Sequence, residues 1–232
     1  MDLIWHGFRQ AFSLVARGDA EVMRIMWLSL RVSGIATVSS LLFGIPLGTV
    51  IGLSRFRGRR LALSLVNTGM GFPPVVVGLF VSIFLWRSGP LGFLELLYTP
   101  TAIVIAQFIL AFPVVTGLTA AAMQQVDPRL QLQLLGLGAS RTQLIWQLLR
   151  EVRLPMLAAV MAGFGAVISE IGASMMVGGN ILGHTRVLTT ATVLETAKGN
   201  FDVAIALSII LLGITFVINW GLTTIQQRTA PR

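Results

Sequence analysis

The chain has 232 residues, of which 55% are hydrophobic and only 11% are charged, and its formal net charge is +8. About a quarter of the residues of a soluble domain are charged, so this composition excludes an ordinary soluble protein. The basic residues cluster in short loops between apolar runs, which argues against nucleic-acid binding, and the absence of cysteine excludes disulfides and thiolate metal sites.

Five long apolar segments predict an all-α, polytopic membrane bundle that forms a single domain over residues 1–232. A helix needs roughly 20 apolar residues to cross a bilayer. The predicted spans are Trp27–Leu53, Leu61–Trp86, Thr101–Val126, Leu154–Val177 and Val203–Ile225. The charged, amphipathic segment Leu3–Arg24 is expected to lie along the outer surface, with a sixth span as the alternative. It has no apolar region typical of a signal peptide.

The positions of the basic residues predict the orientation of these spans. Three regions that fall on one side of the membrane carry Arg55, Arg57, Arg59, Arg60, Arg129, Arg141, Arg150, Arg153, Arg228 and Arg232. Cytoplasmic loops are enriched in lysine and arginine, so this side is predicted to be cytoplasmic. The N-terminus is then outside and the C-terminus inside.

The second predicted span contains two adjacent prolines in a glycine-rich stretch. Proline removes a backbone donor and disfavours helix at the preceding residue, so Pro73 and Pro74 predict a break near the middle of the span. Broken membrane helices line cavities and often mark transport sites, although some breaks are only structural. Asn67 and Thr68, just before the break, are candidates for lining a pathway. Pro113 predicts a kink in the third span.

The longest loop, residues 124–153, is predicted to form two short helices beside the membrane. Asp127 and Pro128 suit an N-cap and a first helical position, and Ser140 with Gln143 fits a capping box that starts a second helix. The apolar residues of that second helix share one face at helical spacing: Leu144, Ile145, Leu148, Leu149 and Val152. Such a helix either lies in the lipid interface or docks onto a partner protein.

One acidic residue, Glu170, lies inside the fourth predicted span. Ionisable residues are costly in lipid and usually face a bundle interior or a cavity. A carboxylate repels anions, so Glu170 is not expected to bind an anionic substrate directly. The alternatives are gating or structural bracing, in which Glu170 is protonated, pairs with an arginine or accepts backbone N–H groups at a helix break.

Two stretches of the sequence carry motifs of a known family. Gly138-Ala139-Ser140-Arg141 lies in the loop before the fourth predicted span. It resembles a motif, often Gly-Ala-Ser, that forms the coupling helix for the ATPase subunit in permease subunits of ABC importers. Residues 148–201 resemble the C-terminal half of tungstate-transporter permeases, most clearly in the run Ser169-Glu170-Ile171-Gly172-Ala173. Related molybdate and sulfate permeases share the Glu-X-Gly of this run.

The resemblance implies a type I ABC importer permease of five or six helices in the cytoplasmic membrane of a bacterium or archaeon. It implies a homodimer in membrane lipid, with two ATPase subunits and an extracytoplasmic oxyanion-binding protein. The favoured substrate is tungstate, with molybdate or another oxyanion as the alternative. Within the coupling segment 128–153, the residues expected to couple to the ATPase are Gly138, Ala139, Ser140, Arg141, Leu144, Ile145 and Leu148.

A second set of residues is expected to form the translocation path or its gate. Its members are Asn67, Pro73, Pro74, Ser169, Glu170, Gly172, Arg186, Thr189 and Thr190. The guanidinium of Arg186 and the nearby hydroxyls suit hydrogen bonding to an oxyanion. The alternative for this polar run is an outer loop that docks the binding protein.

No catalytic residue, metal or cofactor is expected. The sequence lacks a phosphate-binding loop, a nucleophile elbow and a zinc-spaced histidine pair, so ATP hydrolysis is assigned to a separate chain. Three rival functions stay open at this stage: a proton-coupled secondary transporter with Glu170 as carrier, an assembly protein that docks through Ser140–Arg153, and a membrane enzyme.

Overall fold

A computed structural model describes residues 2–229, with side chains described for residues 5–227. Arg232 and the side chain of Arg228, which the orientation argument used, lie outside this part. The described chain is helical, as predicted. Its helices are α1 (Asp2–Ala16), α2 (Ala20–Leu53), α3 (Arg59–Met70), α4 (Pro74–Leu85), α5 (Pro100–Gln124), α6 (Pro128–Gly136), α7 (Arg141–Glu151), α8 (Arg153–Ile168), α9 (Gly172–Gly178), α10 (Leu188–Ala197) and α11 (Phe201–Thr229).

Among the described residues, three helices are individually long and apolar enough to cross a membrane: α2, α5 and α11. Two bent pairs raise the possible number of spans to five, namely α3 with α4, bent by 101°, and α7 with α8, bent by 71°. The predicted break at Pro73 and Pro74 is present between α3 and α4. The fourth predicted span differs from expectation, because its helix stops at Ile168 and restarts at Gly172.

The close packing of α2 against α5 forms the centre of the bundle. α2 presents Gly44, Gly48 and Gly52 to α5 at four-residue spacing, which lets two helix backbones approach closely. A Cβ atom added to Gly48 would lie 2.5 Å from the carbonyl oxygen of Thr116, and one added to Gly52 would lie 2.6 Å from the Cβ atom of Met123. Larger side chains are therefore excluded from this contact.

α5 in turn positions the two helices that carry the candidate site. α3 packs on α5 where Gly69 meets the ring of Pro113, and α8 packs where Gly163 meets Val115. α5 continues unbroken through Pro113. The helices α3 and α8 thus lie on one support, at neighbouring levels of α5.

The N-terminal helix α1 packs against the last helix, α11. Gly7 lies against Ile205, and Ala11 is buried in a cluster with Leu207 and Ile210. α1 has 15 residues, fewer than the roughly 20 that a membrane crossing needs. Its expected position along the outer surface stays a prediction.

Replacing Gly48 with alanine tests the α2–α5 contact. The new methyl group would meet the backbone of Thr116, so we expect a loss of about 1–3 kcal/mol in the free energy of unfolding. Gly34→Ala, in the same helix, is the matched control because nothing lies near its added Cβ atom. Thermal unfolding in detergent measures both. A Gly48→Ala variant at least as stable as Gly34→Ala would contradict the packing.

Candidate functional site

The fourth predicted span is interrupted at residues 169–171, and polar side chains satisfy the backbone on both sides. The carboxylate of Glu170 accepts hydrogen bonds from the backbone N–H groups of Ala173 and Ser174 and, at 2.7 Å, from the Ser174 hydroxyl. At the end of α8, Gln107 Nε2 of α5 donates to the carbonyl oxygen of Val167 at 3.1 Å. Helix ends leave such groups unpaired, and water cannot pair them in a bilayer. Glu170 and Gln107 therefore make the break permissible.

This geometry favours the bracing role among the alternatives for Glu170. Only 5% of the residue is exposed, and its hydrogen-bond donors are the amides at the start of α9 and one serine. Its carbonyl oxygen also accepts a hydrogen bond from Thr189 Oγ1 at 2.9 Å. Thr189 is buried, and it ties α10 to the break instead of facing an open path.

The breaks in the second and fourth predicted spans lie against each other. α4 packs along α9, and a Cβ atom added to Gly172 would lie 2.6 Å from Val75 Cγ2. One turn further along α4, a Cβ atom added to Gly78 would lie 2.7 Å from the Cα atom of Ala173. Both helices begin immediately after a break, so the two discontinuities meet at one level of the bundle.

Several exposed residues close to the two breaks in sequence are polar or small. Asn67 and Thr68 on α3 are exposed, as are Ala166 and Ser169 at the end of α8. The exposed side chains of α2, α4 and α11 are mostly large and apolar, including Phe43, Phe80 and Phe216. Exposed polar residues within a membrane bundle suit a water-filled path or a subunit contact.

Arg186, in the loop between α9 and α10, contacts other protein groups. Its Nη1 atom lies 3.6 Å from Glu21 Oε1 of α2, and its Nη2 atom lies 3.5 Å from the carbonyl oxygen of Asn180. Only 14% of its side chain is exposed. The guanidinium therefore links the α9–α10 loop to the start of α2, which favours bracing over oxyanion binding.

A cavity of about 400 Å³ beside Arg186 is also unsuited to an anion. Its charged lining comprises Asp19, Glu21 and Glu195 against Arg186 and Lys198. Hydrogen bonds from Asn200 and from Lys198 lower the pKa of Glu195. The acidic residues outnumber the basic ones, so an oxyanion would be repelled.

Thr190 caps α10 and is not available to a substrate. Its hydroxyl accepts a hydrogen bond from the Val187 backbone N–H at 3.1 Å, and its carbonyl accepts one from Asn180 Nδ2 at 3.2 Å. Arg186, Thr189 and Thr190 are thus close together, as the sequence pattern indicated. Their side chains bond to backbone groups of Asn180, Glu170 and Val187, respectively.

The coupling segment contains the two predicted helices, α6 and α7. Asp127 accepts a hydrogen bond from the Arg129 N–H at 2.8 Å. The capping box of Ser140 and Gln143 is complete, with distances of 3.3 and 2.8 Å. Gly138 has a φ angle of +83°, a conformation that glycine adopts without steric cost. The turn between the helices therefore depends on this glycine.

The predicted apolar face of α7 is divided between two environments. Leu148 is fully buried and packs with Met123 and Val126 at the end of α5, while Leu144 borders the same cluster. Ile145 is 41% exposed, so only part of this apolar face is buried within the chain. The cause is that α7 rests on α5 along one edge only.

Sequence reasoning missed three residues that matter here. Leu137, between the two helices, is 85% exposed, and Trp146 on α7 is 60% exposed. Gln107 is a buried amide inside a charge-free span. Its polarity in an apolar run was the signal that could have identified it.

The family of inner membrane components of binding-protein-dependent transport systems matches residues 44–231. The chain belongs to this family. It is therefore a multi-pass membrane component of a transport system in the inner membrane, and it is not itself an enzyme. The predicted family and localisation are confirmed.

Individual relatives extend this likeness over almost the whole chain. The chain is 42% identical to the tungstate uptake system permease protein TupB of Peptoclostridium acidaminophilum, over 98% of this chain and 100% of that protein. It is 36% identical to TupB of Campylobacter jejuni, over 95% and 92% of the two chains. It is 30% identical to the molybdenum transport system permease protein ModB of Escherichia coli, over 92% and 98%.

A solved structure shows the fold. A chain of the MetNI methionine ABC transporter superposes with a TM-score of 0.77 at 16% identity, covering 92% of this chain and 98% of that chain. The predicted fold, that of a type I ABC importer permease, is confirmed. The orientation of the termini stays a prediction.

Replacing Glu170 tests whether its carboxylate stabilises the start of α9. Glu170→Ala leaves the amides of Ala173 and Ser174 without their acceptor, at a cost of about 1–3 kcal/mol for each buried unsatisfied group. Glu170→Gln keeps one acceptor oxygen, so we expect a smaller loss. Thermal unfolding measures both, with Ser169→Ala as the exposed neighbouring control. Full stability of Glu170→Ala would contradict the capping role.

Proposed function

We propose that the chain is the membrane-spanning permease of an ABC importer that carries tungstate into the cell. The observation that carries the substrate assignment is the order of identity among its relatives. Permeases named for tungstate are 42% and 36% identical to this chain, whereas one named for molybdenum is 30% identical. A separate ATPase supplies the energy, and an extracytoplasmic binding protein delivers the oxyanion.

The permease acts as a homodimer in this proposal. The exposed polar side chains of Asn67, Thr68 and Ser169 support it, because polar side chains facing hydrocarbon are unfavourable. A second copy facing these residues would enclose a path between the α3 and α8 faces of the two subunits. The exposed prolines at the α3–α4 break, Pro73 and Pro74, would border the same path.

The gate lies where the two broken spans meet. Val75 and Gly172 are in contact there, and each lies just after a break in its span. Discontinuous helices meeting within the membrane are typical of transport sites. Glu170, Arg186, Thr189 and Thr190 have positioning roles, since each is engaged by protein groups.

The ATPase docks on the exposed side of the coupling segment. That side presents apolar side chains that are between 41% and 85% exposed: Leu132, Leu135, Leu137, Ile145 and Trp146. Gly138, Ala139, Ser140 and Arg141 form the turn and first residues between the two helices that carry this patch. Exposed apolar patches mark protein-interaction sites, and docking helices insert such anchors into grooves.

Movement of the docked helix would reach the gate through α5. Leu148 is buried against Met123 at one end of α5. Nearer the other end of α5, Gln107 is bonded to the end of α8 beside the break. A displacement of α7 would therefore move α5 and α8 together. In addition, α7 is joined directly to α8 along the chain.

A pair of substitutions tests ATPase docking. We expect Leu137→Asp with Trp146→Asp to reduce copurification of the ATPase by about tenfold or more, because charges replace exposed apolar anchors. Both residues are exposed, so the stability of the chain should not change. Gln133→Asp with Gln147→Asp adds the same charge to the same helices as a control. Equal ATPase recovery from both variants would contradict the docking surface.

Uptake of tungstate, molybdate and sulfate tests the substrate and the path together. Cells that express the complete importer should accumulate tungsten in preference to molybdenum, as measured by elemental mass spectrometry. Ser169→Trp should abolish uptake while the ATPase still copurifies. Leu212→Trp, on the apolar exterior of α11, should transport normally. Accumulation of molybdenum alone would overturn the tungstate assignment, and uptake by Ser169→Trp would overturn the path.

A further inference from the structure

The α2–α3 loop, taken as residues 54–60 so that it includes the first two residues of α3, carries four arginines and no acidic residue. One of them, Arg59, has a structural role. Its Nε atom donates to the carbonyl oxygen of Ile51 at 2.8 Å and its Nη2 atom to that of Gly52 at 3.2 Å. These carbonyls belong to the last turn of α2 and have no partner within the helix. Arg59 therefore fixes the loop against the end of α2.

The other three arginines of the loop have exposed side chains. Arg55, Arg57 and Arg60 are exposed, and within the part of the chain that the structure describes none of them has an ion-pair or hydrogen-bond partner for its side chain. Phe56, between two of them, is 44% exposed. The loop thus presents three free guanidinium groups around one apolar ring.

The exposed apolar surface of the bundle runs up to this loop from both sides. On α2, Leu47 and Val50 are exposed within two turns of the loop, and on α3 the exposed residues are Leu61 and Leu65. These side chains suit contact with acyl chains. The three arginines therefore lie where this exposed apolar surface ends.

We propose that this loop binds the phosphate groups of anionic phospholipids in the adjoining leaflet. Guanidinium groups pair with phosphate oxygens through two parallel hydrogen bonds. Basic clusters directly beside a membrane helix attract anionic lipids, and an exposed aromatic ring between them enters the boundary between headgroups and acyl chains. The apolar flanks on α2 and α3 favour a lipid over a protein partner, because both flanks lead into the bilayer.

Lipid binding here has a consequence for the proposed path. The loop leads directly into α3, which carries Asn67 and Thr68 and ends at the break before Pro74. Anchoring of the loop by lipid phosphate would hold this first half of the broken span in place. Lipid contact at this loop does not depend on the identity of the transported anion.

Native mass spectrometry of the full-length chain tests the proposal. The chain is extracted from vesicles of equal parts phosphatidylcholine and phosphatidylglycerol, and the retained lipids are counted. Wild type should retain phosphatidylglycerol preferentially. Replacing Arg55, Arg57 and Arg60 together with glutamine should lower that preference by roughly fivefold for each arginine.

The matched control replaces Arg9, Arg17 and Arg87 with glutamine, which removes the same charge elsewhere. This control should keep the wild-type preference. Undiminished phosphatidylglycerol retention by the loop variant, or an equal loss in the control, would overturn the proposal. So would loss of the ATPase from the loop variant with lipid retention unchanged, because the loop would then dock a protein. If the triple variant does not fold, Arg57→Gln alone should show a loss of roughly fivefold.

Discussion

The hydrogen bonds that close the break at residues 169–171 are the constraint on which the rest of the site depends. A helix that stops inside a bilayer leaves backbone donors and acceptors that water cannot satisfy. Glu170 supplies acceptors for the start of α9, and Gln107 supplies a donor for the end of α8. Because the end of α8 and the start of α9 both have hydrogen-bond partners, α9 can begin as a separate helix that packs on α4. The helix α4 itself begins at a break. The discontinuity in one span therefore meets the discontinuity in another.

The same interactions connect the proposed gate to the surface where an ATPase is proposed to dock. α5 takes part in both contacts. Its residue Gln107 bonds to the end of α8 beside the break, and its end packs against Leu148 of α7. The glycines of α2 hold α5 at close range, so α5 has little freedom to move alone. In a close-packed interior, displacements are transmitted between neighbouring elements. The permease can thus respond to its ATPase as a set of helices that share one support.

Local chemistry explains which features the sequence could predict. The break at Pro74, the cap at Asp127 and the capping box at Ser140 depend on residues within a few positions, and each is present in the structure. The length of the apolar runs likewise predicted the long helices α2, α5 and α11, but not the interruption of the fourth span. The partners of Arg186 and Val167, in contrast, come from distant helices, Glu21 and Gln107. Periodicity alone could not separate Leu148 from Ile145, because packing on α5 decides which of them is buried.

The central claim, that the two broken spans meet beside a water-filled path, can be tested by cysteine labelling. The chain contains no cysteine, so single variants can be made in the natural background. In membranes with the complete importer, Asn67→Cys and Ser169→Cys should react with a membrane-impermeant thiol reagent, and ATP should change their rates. Leu212→Cys, on the apolar exterior, should stay unlabelled. Labelling of Leu212→Cys together with protection of Ser169→Cys would contradict the account.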